Sequence, residues 1–305
     1  MTYAAKILAD STSPDGVRLT TFEVTMPRIV LAEFNTHRMF SRNSASSRAI
    51  PVKKMLERVM EDPYVPSSWG KNQRGMQAGE ELDAIQQESC AADWLEARDN
   101  AVNSVKLLLQ AGLHKQLTNR LLEPWMWHTV IVTATEWSNF FNLRDNEMAH
   151  PDIQIPAHLM WEAAEKSEPQ LVRHGGWHLP LIFDEDWGLM RTRLGCHGID
   201  PPELLQSMVK ISCARCARVS YLTHDGKRDL QKDLELYDNL LQPGHMSPFE
   251  HAARPMTQDE QEVWMADGHT ADLRETWCGN FRGWVQHRKE IPGEADILAH
   301  RKGAV

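Results

Sequence analysis

The sequence predicts a mixed α+β protein, because a β-hairpin pattern near the start is followed by long helical patterns. Two strand-like runs, residues 5–8 and 17–24, flank the turn-rich segment 11–16. Between Leu82 and Leu109, apolar residues recur at spacings of three, four and seven, which is typical of an amphipathic helix. A second regular apolar stripe predicts a helix from Leu230 to Leu241.

The other patterns predict shorter elements. In chain order they are a short helix from Pro27, a Ser/Asn/Arg loop at 41–48, a helix over 52–61, a long loop at 63–79, helices over 114–122 and 125–144, a connector at 167–202, a helix after the capping box Thr257–Glu260, and a last helix with Leu273, Trp277, Phe281, Trp284 and Arg288 on one face. The β-branched run 129–133 leaves a strand as the alternative there.

Composition excludes several classes of protein. The 305 residues carry 33 Lys and Arg against 42 Asp and Glu, a net charge of −9, which argues against general binding to nucleic acid or anionic membranes. No apolar run approaches the ~18 residues of a membrane span. The start lacks the apolar stretch of a signal peptide, so a cytoplasmic protein is predicted. Five cysteines are too few for a disulfide scaffold.

One basic segment stands out in this acidic chain. No Asp or Glu occurs between Glu33 and Glu57, an interval that holds three arginines, two lysines and four serines. Arginine forks, hydroxyls and loop N–H groups are the groups that bind phosphate. The alternative is a solvated polar loop, since Ser and Asn favour loops by propensity alone.

Three other polar features are candidates for function. Arg144 ends an otherwise apolar stretch and could pair with an anion or polarise a carbonyl, or could simply extend its head to solvent. In the segment Gly244–His251, helix capping by Ser247 explains the Ser-Pro-x-Glu pattern but not the two histidines. Cys213 and Cys216 form a single Cys-x-x-Cys pattern, which is interpreted as two buried thiols, and no metal site is predicted. Dinucleotide and P-loop glycine motifs and a Gly-x-Ser-x-Gly elbow are absent.

Taken together, these segments resemble the flavin-dependent thymidylate synthase family. The run Thr36-His37-Arg38-x-x-Ser41-x-Asn43-Ser44-x-Ser46-x-Arg48 keeps the register of the family's Arg-His-Arg-x-x-Ser-x-Asn-Glu-x-Ser-x-Arg. Further matches are Phe22 to Arg38, Arg120 to Pro124, Asn139 to Arg144 and Ala149 to Ile153.

The order of the matching segments differs from that of the family. Ala217–Ser220 and Gly244–His251 resemble segments that precede the His-Arg motif in the family, but here they follow it. The resemblance therefore implies a circular permutant, which a fold tolerates when its original termini lie close together. It implies one α+β domain over 1–305, with a central antiparallel sheet and long helices. Its parts are a His-Arg and helical part at 1–166, a connector at 167–212 and a flavin-binding part at 213–305.

The resemblance also implies an activity. It implies a homotetramer that holds FAD between subunits and transfers a one-carbon unit from methylenetetrahydrofolate to C5 of a deoxynucleoside monophosphate, by default dUMP to dTMP, with NADPH as reductant. No protein nucleophile is required, because the protein supplies orientation and electrostatics. The residues it implies are Glu33, His37 and Arg144 for catalysis, His37, Arg38, Asn139, Ser220, His245, Ser247 and Glu250 for flavin, and Ser46, Ser47, Arg48, Arg120 and Arg144 for the nucleotide.

Four positions depart from the family pattern. Thr36 replaces an Arg, Glu33 a Gln, Ser44 a Glu and Ala49 a Tyr. Two alternatives therefore stay open: hydroxymethylation or hydroxylation of dUMP or dCMP, and a catalytically silent nucleotide-binding homologue. If Glu33 faces the base, its carboxylate favours cytosine, because it can accept a hydrogen bond from the cytosine amino group. If Glu33 faces phosphate, it would be repulsive unless Arg38 or Arg42 pairs with it.

Overall fold

A computed structural model describes residues 1–196, 198–219, 228–266 and 279–294. The strands are β1 (Ala4–Thr12), β2 (Arg18–Pro27), β3 (Ser41–Ser44), β4 (Trp127–Ala134), β5 (Gln170–Leu171), β6 (Ala253–Pro255) and β7 (Trp284–Gln286). The α-helices are α1 (Leu31–Phe34), α2 (Val52–Glu61), α3 (Ala84–Gln110), α4 (Lys115–Thr118), α5 (Ser138–Arg144), α6 (Pro151–Glu165), α7 (Asp184–Leu194), α8 (Pro202–Ala217), α9 (Leu230–Leu241), α10 (Gln258–Ala266) and α11 (His287–Glu290). Three short 3-10 helices cover Arg28–Val30, Asn119–Trp125 and Ser247–Glu250.

The main sheet has five strands in the order β3-β4-β2-β1-β5. The predicted hairpin is confirmed as β1 and β2, which pair antiparallel with one irregularity between Ile7 and Ala9. Strands β4 and β3 continue the antiparallel pairing, and the two-residue β5 pairs parallel to β1 at the far edge. Mixed α+β architecture, with the sheet largely antiparallel, is therefore confirmed.

The helix predicted over 125–144 is wrong in its first half. Residues 127–134 form strand β4, the second strand from one edge of the main sheet, and α5 is the α-helix of this range. Seven of the eight β4 residues are buried, because β4 is covered on both faces. A strand buried on both faces is as continuously apolar as a buried helix, so periodicity cannot separate the two. The β-branched alternative at 129–133 was the correct indication.

The sheet has one apolar face and one mixed face. On the first face, residues of β2 and β4 such as Phe22, Val130 and Val132 pack against α5 and α6. The second face points to the C-terminal half, where Ile131 packs with Cys216 and Val219. Alternation along β2 and β4 also puts Thr21 and Thr133 on this second face, opposite His178 and His251.

A chain of buried hydrogen bonds crosses the second face, and we call it the polar seam. It runs Ser11 Oγ to His178 Nδ1 (2.8 Å), His178 Nε2 to Thr21 Oγ1 (2.8 Å), Thr21 Oγ1 to Thr133 Oγ1 (2.7 Å) and Thr133 Oγ1 to His251 Nδ1 (2.8 Å). Burial lowers the pKa of both histidines to about 3, so both are neutral near pH 7. The polar seam therefore fastens the C-terminal half to the sheet without buried charge.

The shorter elements agree with the sequence patterns in part. The helices over 52–61 and 230–241 are confirmed, as is the capping box, where Glu260 N donates to Thr257 Oγ1 (3.2 Å). The predicted loop at 41–48 begins as strand β3, and the predicted connector contains α7 and the start of α8. In the predicted last helix, Trp284 lies in strand β7, while Leu273 and Trp277 lie outside the described residues. Within the described ranges, no helix is long and apolar enough to cross a membrane.

Candidate functional site

The His-Arg motif lies on an aromatic floor beside the sheet. The side chains of Phe34, Phe40 and Phe140 are buried beneath it. His37 stacks on Phe40 with ring centroids 5.7 Å apart and meets the edge of Phe140 at 4.9 Å. The imidazole is thus held in place, whereas the neighbouring Arg38 is exposed.

Arg144 brings the three predicted catalytic residues together. From the last turn of α5, its Nε donates to His37 Nε2 at 3.0 Å. One terminal nitrogen lies 3.4 Å from Glu33 Oε2, and the other donates to Thr36 Oγ1 at 3.2 Å. All three guanidinium nitrogens are engaged, and a planar fork held at three points has little freedom to rotate.

His37 is held in one protonation state by these contacts. Burial, followed by the charges of Arg144 and Arg42, lowers the pKa of His37 to about 4, so the ring is neutral near pH 7. Because Arg144 donates to Nε2, that nitrogen is the acceptor and the ring proton is on Nδ1. The site therefore contains a fixed cation beside a neutral imidazole.

Two of the four departures from the family pattern contact Arg144. The Thr36 hydroxyl accepts from the guanidinium at the position where the family pattern has an Arg. The Glu33 carboxylate pairs with the same group where that pattern has a Gln. Together they remove one positive charge and add one negative charge beside Arg144. Both departures therefore alter the charge around the same guanidinium.

The Gly244–His251 segment packs against the His-Arg motif despite its distance in sequence. Ser247 Oγ donates to Asn43 Oδ1 at 3.4 Å, and Asn43 Nδ2 donates to the Cys216 carbonyl at 2.6 Å. Burial lowers the pKa of Arg42, and the nearby Glu250 carboxylate opposes that shift. The structure thus brings two of the separated motifs to one place.

The predicted phosphate residues form a second group of side chains. The buried Asn119 donates from Nδ2 to the carbonyls of Ser47 (2.7 Å) and Ile50 (3.0 Å), which ties the Ser/Arg loop to the segment carrying Arg120. Arg48 and Arg120 are exposed, and Arg120 Nε donates to the Gln116 carbonyl at 3.2 Å. Two exposed guanidinium groups are therefore presented from an anchored backbone.

Ser47 differs from its neighbours in this loop. Its side chain is buried, and its Oγ donates to Glu123 Oε1 at 2.9 Å. Glu123 also lies 3.5 Å from Arg28. Ser47 therefore supports the loop, while Ser46, which is only half-buried, remains accessible for phosphate.

The remaining predicted residues show fewer contacts. Asn139 and His245 are exposed, and Ser220 lies outside the described residues. A cavity of about 220 Å³ lies between α2 and residues 125–127, and it is lined by none of the predicted site residues. Among the candidate flavin residues that the structure describes, Arg38, Asn139, His245 and Ser247 are exposed in the single chain.

The two cysteines are buried thiols, as predicted. Cys213 and Cys216 are fully buried in α8, and burial raises the pKa of both thiols. Between them, Arg215 forms a buried ion pair with Asp186 (2.6 Å) and Asp233 (2.9 Å), which fixes α8 beneath the site. Among the described residues, no group of three or more His, Cys, Asp or Glu side chains could hold a metal ion.

The sequence does not indicate Asn119, and it offers Arg42 only as one cation of the acid-free interval and a possible partner of Glu33. Arg42 lies inside the acid-free interval that attracted attention, at a position the family pattern leaves variable. Asn119 immediately precedes the matched Arg120, but only the structure shows that its amide is buried and doubly bonded. Gln286 was treated as part of a helix and is instead a buried strand residue.

Comparison with known families decides the assignment. The family model for thymidylate synthase complementing proteins matches residues 11–170, more than half of the chain. The chain belongs to this family. It is accordingly a pyrimidine C5-modifying enzyme, and the resemblance seen in the motifs is confirmed. The match includes the His-Arg motif, Arg120 and Arg144.

Solved structures to which this chain is similar include two of the UMP/dUMP methylase PolB from Streptomyces cacaoi. The one bound with 5-Br UMP is 17% identical, covers 54% of this chain and 89% of its own, and has a TM-score of 0.44. The one bound with 5-Br dUMP is 19% identical, covers 54% and 90%, and has a TM-score of 0.43. A comparison with curated protein sequences finds no significant match.

The end of the Gly244–His251 segment lies beside the start of β2. Ala253 packs with Leu19 and Trp284 in one buried cluster, and Trp284 Nε1 donates to the Val17 carbonyl at 3.0 Å. In the family order, the Phe-Glu-His segment comes before the strand that leads to the His-Arg motif. The two points that a circular permutation must keep adjacent are therefore in contact here.

Proposed function

We propose that this enzyme transfers a one-carbon unit from methylenetetrahydrofolate to C5 of a deoxypyrimidine monophosphate, by default converting dUMP to dTMP. It uses FAD, with NADPH as the reductant, and works as a homotetramer in the cytoplasm. One observation carries the proposal: in a member of this family, Arg144 is fixed beside a neutral His37, in the His-Arg motif against which the Gly244–His251 segment packs.

The residues present are suited to a flavin dinucleotide. Arg38, Asn139, His245 and Ser247 offer exposed donors and acceptors, and arginine and hydroxyl groups suit a pyrophosphate. His37 adds an N–H donor at the edge of the same region. Exposure of these side chains in one chain supports a cofactor held between subunits. When bound, the flavin supplies the hydride that the reaction needs.

The chain's own residues bind and polarise the nucleotide. Arg48 and Arg120, with the Ser46 hydroxyl, receive the phosphate through charge-assisted hydrogen bonds. Arg144 directs its N–H groups at a pyrimidine carbonyl, where they stabilise negative charge that develops on the ring. Because three contacts already orient Arg144, little reorganisation is required when the base arrives.

A second substrate is favoured by Glu33. Its side chain is 42% exposed and pairs with Arg144 through one oxygen, so the carboxylate is accessible to a base beside that arginine. A carboxylate can accept from the amino group of cytosine. The alternative function is therefore modification of dCMP, including hydroxymethylation or hydroxylation.

The test begins with the purified full chain. We expect a yellow protein with flavin absorbance that reconstitutes with FAD and elutes as a tetramer by light scattering. Enzyme, NADPH, FAD and methylenetetrahydrofolate are then incubated with dUMP or dCMP, and product masses are measured. A mass gain of a methyl group on dUMP supports the default reaction, and a hydroxymethyl gain supports the alternative. Colourless protein that cannot take up FAD contradicts the proposal.

A further inference from the structure

We propose that residues 279–290, which we call the bridging segment, position the candidate active site by joining its two motif segments. Gln286 and Arg288 are the positioning residues. They connect Ser41 of the His-Arg motif with Glu250 of the Gly244–His251 segment. This inference rests on the proposed function for its catalytic consequences, but the contacts themselves can be tested without it.

The side chain of Gln286 binds both motif segments at once. It is 2% exposed, and its Nε2 donates to Ser41 Oγ at 2.7 Å and to the Glu250 carbonyl at 3.1 Å. A buried amide that loses such partners leaves polar groups unsatisfied, which is costly. The spacing between Ser41 and Glu250 is therefore set by one side chain that belongs to neither motif.

Asn280 closes a small network around the same serine. Ser41 Oγ donates to Asn280 Oδ1 at 2.9 Å, and Asn280 Nδ2 donates to the Met39 carbonyl at 2.8 Å. Gln286 Nε2 also contacts Asn280 Oδ1 at 2.9 Å. Residues 39 and 41 of the His-Arg loop are thus held from outside the loop.

The backbone of Gly279 is adapted to this network. Its φ is 90°, and a Cβ built on it would overlap Oε1 of Gln286. A glycine is required on both counts, since other L-residues rarely adopt this conformation and any side chain would displace the amide. The position of the Gln286 side chain in the bridging segment therefore requires a glycine at residue 279.

Arg288 binds the second motif through charge. Its guanidinium pairs with the Glu250 carboxylate and with Glu294. Next to it, His287 N donates to the Ala252 carbonyl at 2.9 Å. Glu250, which the family resemblance places at the flavin, thus lies between the charges of Arg42 and Arg288. Its orientation depends on a residue outside both motifs.

A permuted chain gives a physical reason for such a segment. In the family order, the Phe-Glu-His segment comes before the strand that leads into the His-Arg motif, so the chain between them is a tether that limits their spacing. Here most of the chain lies between Ser41 and Glu250. A longer tether imposes a larger entropic cost on bringing its ends together. Non-covalent contacts of the bridging segment compensate for the lost tether.

The experiment compares Gln286→Leu and Arg288→Ala with matched controls. Gln258→Leu and Arg191→Ala are the controls, because Gln258 is an exposed side chain in α10 and Arg191 pairs with Asp200 on the surface. Hydrogen exchange of peptides covering residues 36–44, FAD affinity, kcat, KM and urea stability are measured for each full-length protein.

We expect faster exchange in residues 36–44 and about tenfold weaker FAD binding in both test variants, the size of one or two lost hydrogen bonds. The KM for nucleotide should change less than kcat, because the phosphate residues are anchored separately by Asn119. Arg288→Lys should recover part of the FAD affinity. The controls should match the wild type.

Several outcomes would overturn the inference. Unchanged exchange in residues 36–44 in both variants would do so, even if the enzyme is active. If Gln286→Leu fails to fold, Arg288→Ala decides, since its side chain is 32% exposed and tolerates truncation. If the wild type modifies no pyrimidine but the exchange result holds, the proposed function fails and the bridging role stands.

Discussion

The two ends of the candidate site differ in how firmly their arginines are held. The base end is the group around Arg144, and the phosphate end is the group that contains Arg48 and Arg120. At the base end, Arg144 is engaged at all three nitrogens and rests beside a buried ring. At the phosphate end, Arg48 and Arg120 are exposed, and the buried Asn119 fixes only the backbone beneath them. The comparison shows where rigidity is needed. A group that polarises one atom must be oriented in advance, whereas a doubly charged phosphate can be bound by exposed cations that are not held at every nitrogen.

The variant Arg144→Ala tests whether the base end depends on a guanidinium that is oriented in advance. Loss of a preoriented donor at a charge-developing atom should lower kcat by about 10²–10³-fold. Stability should fall by about 1–3 kcal/mol, because the buried His37 loses the partner of its Nε2, whereas Thr36 and Glu33 can turn to water. Steady-state kinetics and a urea titration measure both effects.

The control for this change is Arg144→Lys. A lysine keeps the charge but cannot make three directed contacts, so most of the loss should remain. If Arg144→Lys restores full turnover, charge alone is sufficient and the argument for orientation is wrong.

At the phosphate end, Arg48→Ala should have a smaller effect of a different kind. Removing one charge-assisted contact should weaken nucleoside monophosphate binding by about 1.5–3 kcal/mol and leave FAD affinity unchanged. Calorimetry with the wild type and the variant measures this. Equal nucleotide affinity in the two proteins would remove Arg48 from the phosphate site.

The sequence predicted each end to a different degree. The phosphate end was visible because an acid-free run of Ser and Arg is a local signal. At the base end the sequence singled out Arg144 as a candidate, but not its partners, since the contacts between Arg144 and residues 33–37 join distant parts of the chain. Thr36 and Glu33 were recognised as departures, but nothing in their order along the chain indicated a shared partner.

The same distinction explains the errors in the fold. The hairpin, α2 and α9 follow local periodicity and were predicted, whereas β4 and β7 were assigned to helices. Both strands are buried by neighbours that are remote in sequence, and burial on every side removes the alternation that marks a strand. The strand conformation of β4 and β7 therefore depends on pairing with strands that are distant in sequence.

Acid should destabilise the fold, because His37 at the base end, the buried His128 and both histidines of the polar seam are neutral near pH 7. The pKa is lowered from 6.5 to about 4 for His37 and to about 3 for His178 and His251. Between those values and 6.5 the unfolded chain binds more protons than the folded one, so stability is full above pH 6.5 and falls as the pH drops. At pH 5 each buried histidine should lower the free energy of unfolding by about 1–2 kcal/mol.

Urea titrations from pH 7.5 to pH 5 test this dependence. The variant His251→Gln should reduce the pH dependence by one histidine's share, because the polar seam then carries one fewer buried imidazole. His174→Gln is the control, since His174 is exposed. A stability that is flat between pH 7.5 and pH 5 would contradict neutral burial of these rings.

The smallest expected effect concerns the base itself. Glu33 contacts Arg144, so its carboxylate lies beside the residue that we place at the pyrimidine, and neither Arg38 nor Arg42 is its partner. A neutral amide can donate and accept, whereas an ionised carboxylate only accepts. Glu33→Gln should therefore shift the dCMP:dUMP turnover ratio towards dUMP by a few-fold, while Arg144 keeps an oxygen acceptor at the same position. Turnover of both nucleotides by the wild type and the variant gives the ratio directly. If it does not move, Glu33 serves only to hold Arg144, and the base end achieves its rigidity without selecting the base.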